Sequence, residues 1–344
     1  MSDYQETCMT VRCPFFTRMN RRTALAVGAA ALASTWLVGA PTVHAADTWP
    51  AKSIRVIVPY TPGGATDTVA RTVMDKLGQR LSQTIIVENR PGANGTVGTA
   101  AGARSDPDGY SFVMVLAAHA ANPSLYQNLP YKPSDLVPVS HIADLPLFLF
   151  VNNDIPANTV QEFIAYAKKN EGKLNYASSG TGSSAHLTGA NFAMKTGLKM
   201  THIPYKGSAP FLADLMGGQV SMAFDASVVP MPHARAGKLK VLAVASAQRW
   251  PDNPDTPTLQ EAGVPDFVMN SWAGLMAPAG TPQAVVDRMS REIAEVVKMP
   301  EVRTTFNTAG FLPVGGTPAE FKALIDGDSK KYAEIIKAAG VTVQ

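Results

Sequence analysis

Short apolar β-type runs alternate with helical segments over most of this chain, and that alternation constrains the fold more than any single motif. Residues 54–58, 84–88, 110–116, 174–177, 200–204, 220–224 and 239–245 read as strands rich in Val, Ile, Leu and aromatic residues. Residues 67–81, 95–103, 160–169, 184–196, 209–216 and 230–236 read as helices between them. Parallel neighbouring strands need a crossover about as long as a helix, so the pattern predicts an α/β fold. Its sheets are expected to be parallel or mixed, with helices on their faces. Segment 95–103 is rich in Gly and Ala and should pack closely on a sheet. Ala157-Asn158-Thr159 supplies a cap for helix 160–169, and Thr281-Pro282 and Thr317-Pro318 have the cap-then-proline order of helix starts. Residues 122–133 and the proline-punctuated 250–263 read as loop.

Two β-type stretches are unusually long, 137–151 (broken by Pro138 and Pro146) and 267–277. After the second come helices 282–298, 300–308 and 318–339, with no strand expected between them. Three such helices need a sheet to cover, and the nearest is the first one. The chain is therefore expected to leave its first lobe and return to it. Lobe 1 is assigned 46–147 plus 275–344 and lobe 2 148–274, with a ligand cleft between them.

The segment before residue 46 reads as an export signal. Arg21-Arg22 precede an apolar run over 24–40, and a small-residue stretch ends at Ala45, where cleavage is expected. The run is rich in Ala and Gly and short for a membrane span. Both cysteines, Cys8 and Cys13, fall in this segment, so the mature chain is expected to have no disulfide or thiolate metal site. A formal charge of +3 over 344 residues gives no basis for a nucleic-acid partner.

Two strand-to-helix loops carry the candidate chemistry. The first is Tyr60-Thr61-Pro62-Gly63-Gly64-Ala65-Thr66-Asp67, and the second is Ser178-Ser179-Gly180-Thr181-Gly182-Ser183-Ser184. Each leads several backbone N–H groups to the positive end of a helix, where an anion is held. Either loop alone also reads as an ordinary helix cap, whereas two that face each other make an anion cleft. Asp67 is assigned an organising role first, because a bare carboxylate would repel the anion. His186 orients the second loop, touches ligand, or is simply a buried hydrogen-bonded histidine. In a third loop, Tyr205 is placed to flank a ligand, and Lys206 either pairs with a carboxylate or stays solvated. Asp225, at the end of a strand, faces the cleft or caps a turn.

Other chemistries find no pattern. There is no Gly-x-x-x-x-Gly-Lys-Ser/Thr, no full dinucleotide fingerprint and no Gly-x-Ser-x-Gly. His119, His141, His186, His202 and His233 are scattered, so no metal and no cofactor are expected. A hydrolase built on Ser178 or Ser183 with His186 lacks both a nucleophile elbow and an acid partner.

Further motifs run in order along the chain. They are Val58 to Gly64 with Asp67, Glu88-Asn89-Arg90-Pro91-Gly92-Ala93, Asp106-Pro107-Asp108-Gly109-Tyr110 and Leu129-Pro130-Tyr131, then Pro204-Tyr205-Lys206-Gly207, Gly217-Gly218-Gln219-Val220 and Ala277-Pro278-Ala279-Gly280-Thr281-Pro282. With these the chain resembles the substrate-binding proteins of tripartite tricarboxylate transporters, the Bug (TctC-like) family. The resemblance implies a monomeric, non-catalytic, two-lobe (type II) periplasmic binding protein that closes on a small carboxylate. It implies that loop 60–67 and loop 178–184 contact the carboxylate through backbone and hydroxyl groups, with Tyr60 as an apolar wall. Membrane permease subunits are the implied partners; a sensor that docks on a membrane kinase is the alternative. The ligand is left open among dicarboxylates, tricarboxylates, amino acids and aromatic acids.

Overall fold

The strands of the chain, seen in a computed structural model that describes residues 49–226 and 228–343, form two mixed sheets flanked by helices. Cys8, Cys13 and the expected cleavage site after Ala45 lie outside the described residues. In chain order the first elements are β1 (Ile54–Val58), α1 (Ala65–Leu81), β2 (Ile85–Asn89), α2 (Thr96–Ala103), β3 (Ser111–Leu116), α3 (Ala118–Leu125) and β4 (Leu136–Pro146). Then come β5 (Phe148–Val151), α4 (Val160–Lys169), β6 (Asn175–Ser178), α5 (Ser184–Thr196), β7 (Thr201–Pro204), α6 (Ser208–Met216), β8 (Met222–Asp225), α7 (Met231–Arg235) and β9 (Lys240–Val244). The last are β10 (Asn270–Pro278), α8 (Gln283–Val296), α9 (Pro300–Ala309), β11 (Leu312–Gly316) and α10 (Pro318–Ala339).

The first sheet has six strands in the order β11-β4-β10-β3-β1-β2. β1 runs parallel to β2 and β3, while β10 is antiparallel to β3 and β4. The second has five strands in the order β7-β6-β8-β5-β9, with β6 parallel to β7 and β8 and β5 antiparallel to β8 and β9. β4 belongs to the first sheet and β5 to the second, with Leu147 alone between them. β10 brings the chain back into the interior of the first sheet.

The sequence pattern explains the packing. α1 buries Val69, Val73, Leu77 and Leu81, a helical stripe, against Ile54, Val56 and Val58 of β1. α8 adds Val286, Met289 and Ile293 to the same core. The small residues of α2 do bring it close to the sheet. A methyl group at Gly98 would strike Pro59, and one at Gly102 would strike Val113 of β3. Thr159 caps α4, and Thr317 caps α10 in a reciprocal box with Glu320.

Two expectations are corrected. Residues 122–126 are not all loop, because α3 runs through Pro123 and ends only where Tyr126 N–H meets the Asn122 carbonyl. Proline signals a break, but Ala120, Ala121 and Leu125 join a buried apolar cluster, and that burial favours the helix. The closing region also contains a strand. β11 pairs with the outer edge of β4, with Leu312 opposite Asp144 and Pro313 opposite Ala143. Its sequence, Leu-Pro-Val-Gly-Gly, has turn composition, and only an edge strand with an irregular register accommodates it.

α10 rests its Phe321 ring on β10, edge-on to Trp272 at 5.1 Å, directly over Gly274. Gly274→Ala is expected to cost about 1–3 kcal/mol in urea unfolding, because the added methyl overlaps that ring. Gly327→Ala, on an open face of α10, is expected to stabilise by up to about 1 kcal/mol.

Candidate functional site

The first loop is shaped by one carboxylate. Asp67 Oδ2 accepts from Gly63 N–H at 3.0 Å, and both its oxygens lie 3.0 Å from Arg71 Nε. Asn89 Nδ2 donates to Asp67 Oδ1 at 2.9 Å and to the Tyr60 carbonyl at 3.1 Å. Asn89 is available because β2 pairs in register with β1, which sets it beside Val58. Burial alone would push the Asp67 pKa up, but the Arg71 guanidinium, the Gly63 amide and Asn89 outweigh it and hold the pKa below the usual carboxylate value. Asp67 is therefore the ionised centre of the loop, with its oxygens already engaged. No side chain caps α1, and the first backbone bond of its opening turn is Thr68 N–H to Gly64 O. The Ala65, Thr66 and Asp67 amides stay at the positive helix end without a helical acceptor. Thr61, Pro62 and Gly63 are exposed in front of them.

The second loop is held from below by histidines. Gly182 N–H donates to His186 Nδ1 at 3.0 Å, and Ser183 Oγ caps α5 by accepting from the His186 backbone N–H at 3.2 Å. Ser178, fully buried, accepts from Gly180 N–H and lies 2.7 Å from His202 Nε2. The His186 and His202 rings stack with centroids 3.6 Å apart. Burial lowers the pKa of His186 to about 3, with help from His202, and lowers that of His202 to about 4. Both rings are thus neutral packing and hydrogen-bonding groups near pH 7. Of the three readings of His186, loop orientation matches its contacts. The Ser183–His186 bond goes to a backbone amide, a geometry in which the ring takes no proton from the hydroxyl.

At glycines the second loop comes close to α3 and the third loop to the first. A Cβ on Gly182 would overlap Leu125 of α3, and Asn94 lies beside it. One on Gly207 would sit 3.9 Å from Thr61 Oγ1. Gly95 accommodates the Tyr60 ring, and the Tyr60 hydroxyl bonds the Leu116 backbone. Tyr205 turns its hydroxyl to Asp214 of α6 at 2.5 Å and sets its ring against Phe211. Lys206 is exposed, with no ion pair among the described residues. Asp225 closes β8 and is buried. Burial pushes its pKa up to about 7, although the Ser208 hydroxyl and the Ala226 backbone bond it, and among the described residues its Oδ2 has no partner. Ser179, Gly180 and Thr181 are half-buried, as are Gly64 and Ala65 of the first loop. A groove of about 490 Å³ is lined by Thr68, Phe148, Val228, Trp250, Thr304 and Thr308 among others, but by none of the loop residues 60–67 or 178–184. Among the described residues no cluster of three or more His, Cys, Asp or Glu is placed to hold a metal, and no helix is long and apolar enough to cross a membrane.

Residue-by-residue reading missed Arg71, Asn89, Asn94, His202 and Ser208 as parts of the site. Asn89 had a usable signal, since it ends the strand next to β1. His202 had none, because its role depends on the β6–β7 pairing that brings it against Tyr176.

Asp225 gives a pH prediction. Its folded-state pKa is raised, so the folded chain holds a proton that the unfolded chain has lost. Stability is then lost as pH rises from about 4 to about 7 and stays lost above that. Asp225→Asn is expected to stabilise the ligand-free protein at pH 8 by on the order of 2–4 kcal/mol and to match wild type at pH 4, read by urea unfolding.

Comparison with known proteins gives the family. The model of the "Tripartite tricarboxylate transporter family receptor" family matches residues 69–341. BugT of Bordetella pertussis is 36% identical over 302 residues, 87% of this chain and 93% of that protein. The structure of Rpa4515 from R. palustris with adipate superposes with a TM-score of 0.81 at 33% identity, covering 86% of this chain and 99% of the other. MatC from Rhodopseudomonas palustris with bound malate gives 0.77 at 31% identity, covering 84% and 100%. The chain belongs to the tripartite tricarboxylate transporter receptor family, whose members are periplasmic binding proteins.

Proposed function

We propose that this chain captures a small organic carboxylate between loop 60–67 and loop 178–184 and hands it to the membrane permease subunits of a tripartite transporter. It acts as a monomer and catalyses nothing, and it reaches the periplasm after cleavage behind Ala45. Lobe 1 comprises 46–147 plus 275–344 and lobe 2 comprises 148–274. Tyr60, Thr61, Gly63, Gly64, Ala65 and Thr66 contribute from the first lobe. Ser178, Ser179, Gly180, Thr181, Gly182, Ser183, Tyr205, Lys206 and Asp225 contribute from the second, directly or by shaping the loop. Asp67 and His186 hold the two loops in form.

The observation that carries this reading is a pair of strand-to-helix loops, one leaving each sheet, whose donors are neutral. The start of α1 has no side-chain cap, and the start of α5 has only Ser183. Each end favours negative charge by up to about 2 kcal/mol. Charge-assisted hydrogen bonds add roughly 1.5–3 kcal/mol each. Micromolar binding needs about 8 kcal/mol, so a few such donors suffice without an arginine clamp. The adipate and malate bound to Rpa4515 and MatC support a linear dicarboxylate.

A thermal-shift panel of adipate, malate, citrate, benzoate and terephthalate tests the proposal. At least one member is expected to raise the melting temperature by several degrees at a hundredfold excess over its dissociation constant. A panel that leaves the midpoint unmoved, together with flat calorimetric titrations, overturns it. Asp67→Ala is expected to weaken the best ligand by at least roughly tenfold, because it releases Gly63 and frees the Arg71 side chain.

A further inference from the structure

Asp225 is the one site residue that a receptor for plain carboxylates does not account for. It is 6% exposed, and the Oδ2 atom is buried with no hydrogen-bond partner among the described residues. The groups that bond this carboxyl are the Ser208 hydroxyl and the Ala226 backbone. Its ladder neighbour on β5 is Phe148, which offers no side-chain donor. Among the described residues no ion pair includes Asp225, and Arg71 of α1 is committed to Asp67. An acceptor left unsatisfied in this way is costly, and such groups in folded proteins call for a reason.

The position of Asp225 supplies the reason. It ends β8, beside β6, from whose end the second loop springs, and one strand removed from β7, which leads into the third. Ser208, its hydroxyl partner, directly follows Gly207, the glycine that approaches Thr61 of the first loop. Ala226, its other partner, packs against the apolar cluster around the first sheet and against a second cluster that draws on both sheets. The orphan oxygen thus lies where the second sheet meets the first lobe. An ionised Asp225 there repels a bound anion, unless the ligand brings a donor of its own.

We propose that Asp225 is a specificity determinant that accepts a hydrogen bond from an ammonium or hydroxyl group on the ligand's carbon chain, so that the site selects amino- or hydroxy-substituted carboxylates over unsubstituted acids of equal length. This rests on the carboxylate-receptor reading. The two loops hold the carboxylate, and Asp225 reads the substituent. Asparagine breaks the device without changing its size. Its one oxygen stays with Ser208 and Ala226, and its NH2 stands where the acceptor was.

The test is isothermal titration at pH 8 with matched series: succinate, malate and aspartate; glutarate, 2-hydroxyglutarate and glutamate; adipate and 2-aminoadipate. In the series that binds, a substituted member is expected to bind at least roughly tenfold tighter than its unsubstituted parent. Preference for the amino acid identifies an ammonium donor, and preference for the hydroxy acid identifies a hydroxyl. Asp225→Asn and Asp225→Ala are expected to cut the ratio to less than about threefold while the parent acid still binds, which also shows that the variants are folded. Equal binding of parent and substituted acids to wild type overturns the inference and leaves the carboxylate reading standing. An unchanged ratio in both variants does the same. No binding by any member overturns both.

Discussion

Everything at the mouth of the first lobe depends on the Asp67 carboxylate being fully engaged. Gly63, Arg71 and Asn89 donate to it, and Asn89 reaches on to the Tyr60 carbonyl. Those bonds fix the turn through Gly63, whose φ of +79° suits glycine. They also engage both carboxylate oxygens within the loop, beside α1 amides that have no helical acceptor. Arg71 balances charge inside the loop here, and Arg71 Nη2 also ties Asn89 Oδ1 at 2.8 Å. The first lobe therefore presents dipoles in front of a neutralised ion pair. A free arginine at the surface would hold an anion by charge; in the proposed capture these dipoles hold it by geometry.

The second lobe reaches the same end without any ion. His186 accepts from Gly182, Ser183 accepts from His186, and Ser178 braces Gly180. Burial keeps both stacked imidazoles neutral. The two sheets are joined by the single residue Leu147 and by the β9-to-β10 passage. α10 ties this region together. Asp328 accepts from Trp272 Nε1 at 2.7 Å, and Ser329 donates to the Ala120 carbonyl of α3. Ser184, at the start of α5, donates to Ser271 of β10, so the base of the second loop is fastened to a strand of the first sheet.

The alternation of apolar runs carried the architecture in the sequence because it reflects burial of whole strands, which no local accident imitates. The return of the chain to its first sheet was legible for the same reason, since the closing helices had too little sheet of their own. β11 was not legible. Its pairing depends on an exposed edge of β4, and Pro313, Gly315 and Gly316 carry no strand signal. α3 was hidden by Pro123, whose cost is outweighed by packing that appears only in three dimensions. Within the site, the loops announced themselves by glycine, proline and hydroxyl content. Their supports did not. Arg71 and Asn89 are separated from each other by 18 positions and meet only through the β1–β2 register. His202 meets Ser178 through the β6–β7 register.

Asp67 and Asp225 show how one fold gives the same side chain opposite chemistry. Both are almost fully buried, Asp67 in the first turn of α1 and Asp225 at the end of β8. Burial raises the pKa of each, and the difference lies in the donors. Asp67 has a guanidinium, an amide N–H and a carboxamide, and it stays ionised. Asp225 has a hydroxyl, one backbone bond and an oxygen with nothing to accept from, and its pKa rises to about 7. The first carboxylate is spent on structure and invisible to a ligand. The second is unspent, and an unspent acceptor in a dry site discriminates more strongly than any added attraction, because a ligand without a donor leaves the cost standing. A site otherwise made of neutral dipoles would hold many carboxylates alike, and in this chain the group able to tell them apart is the acid whose hydrogen bonds the protein itself leaves incomplete.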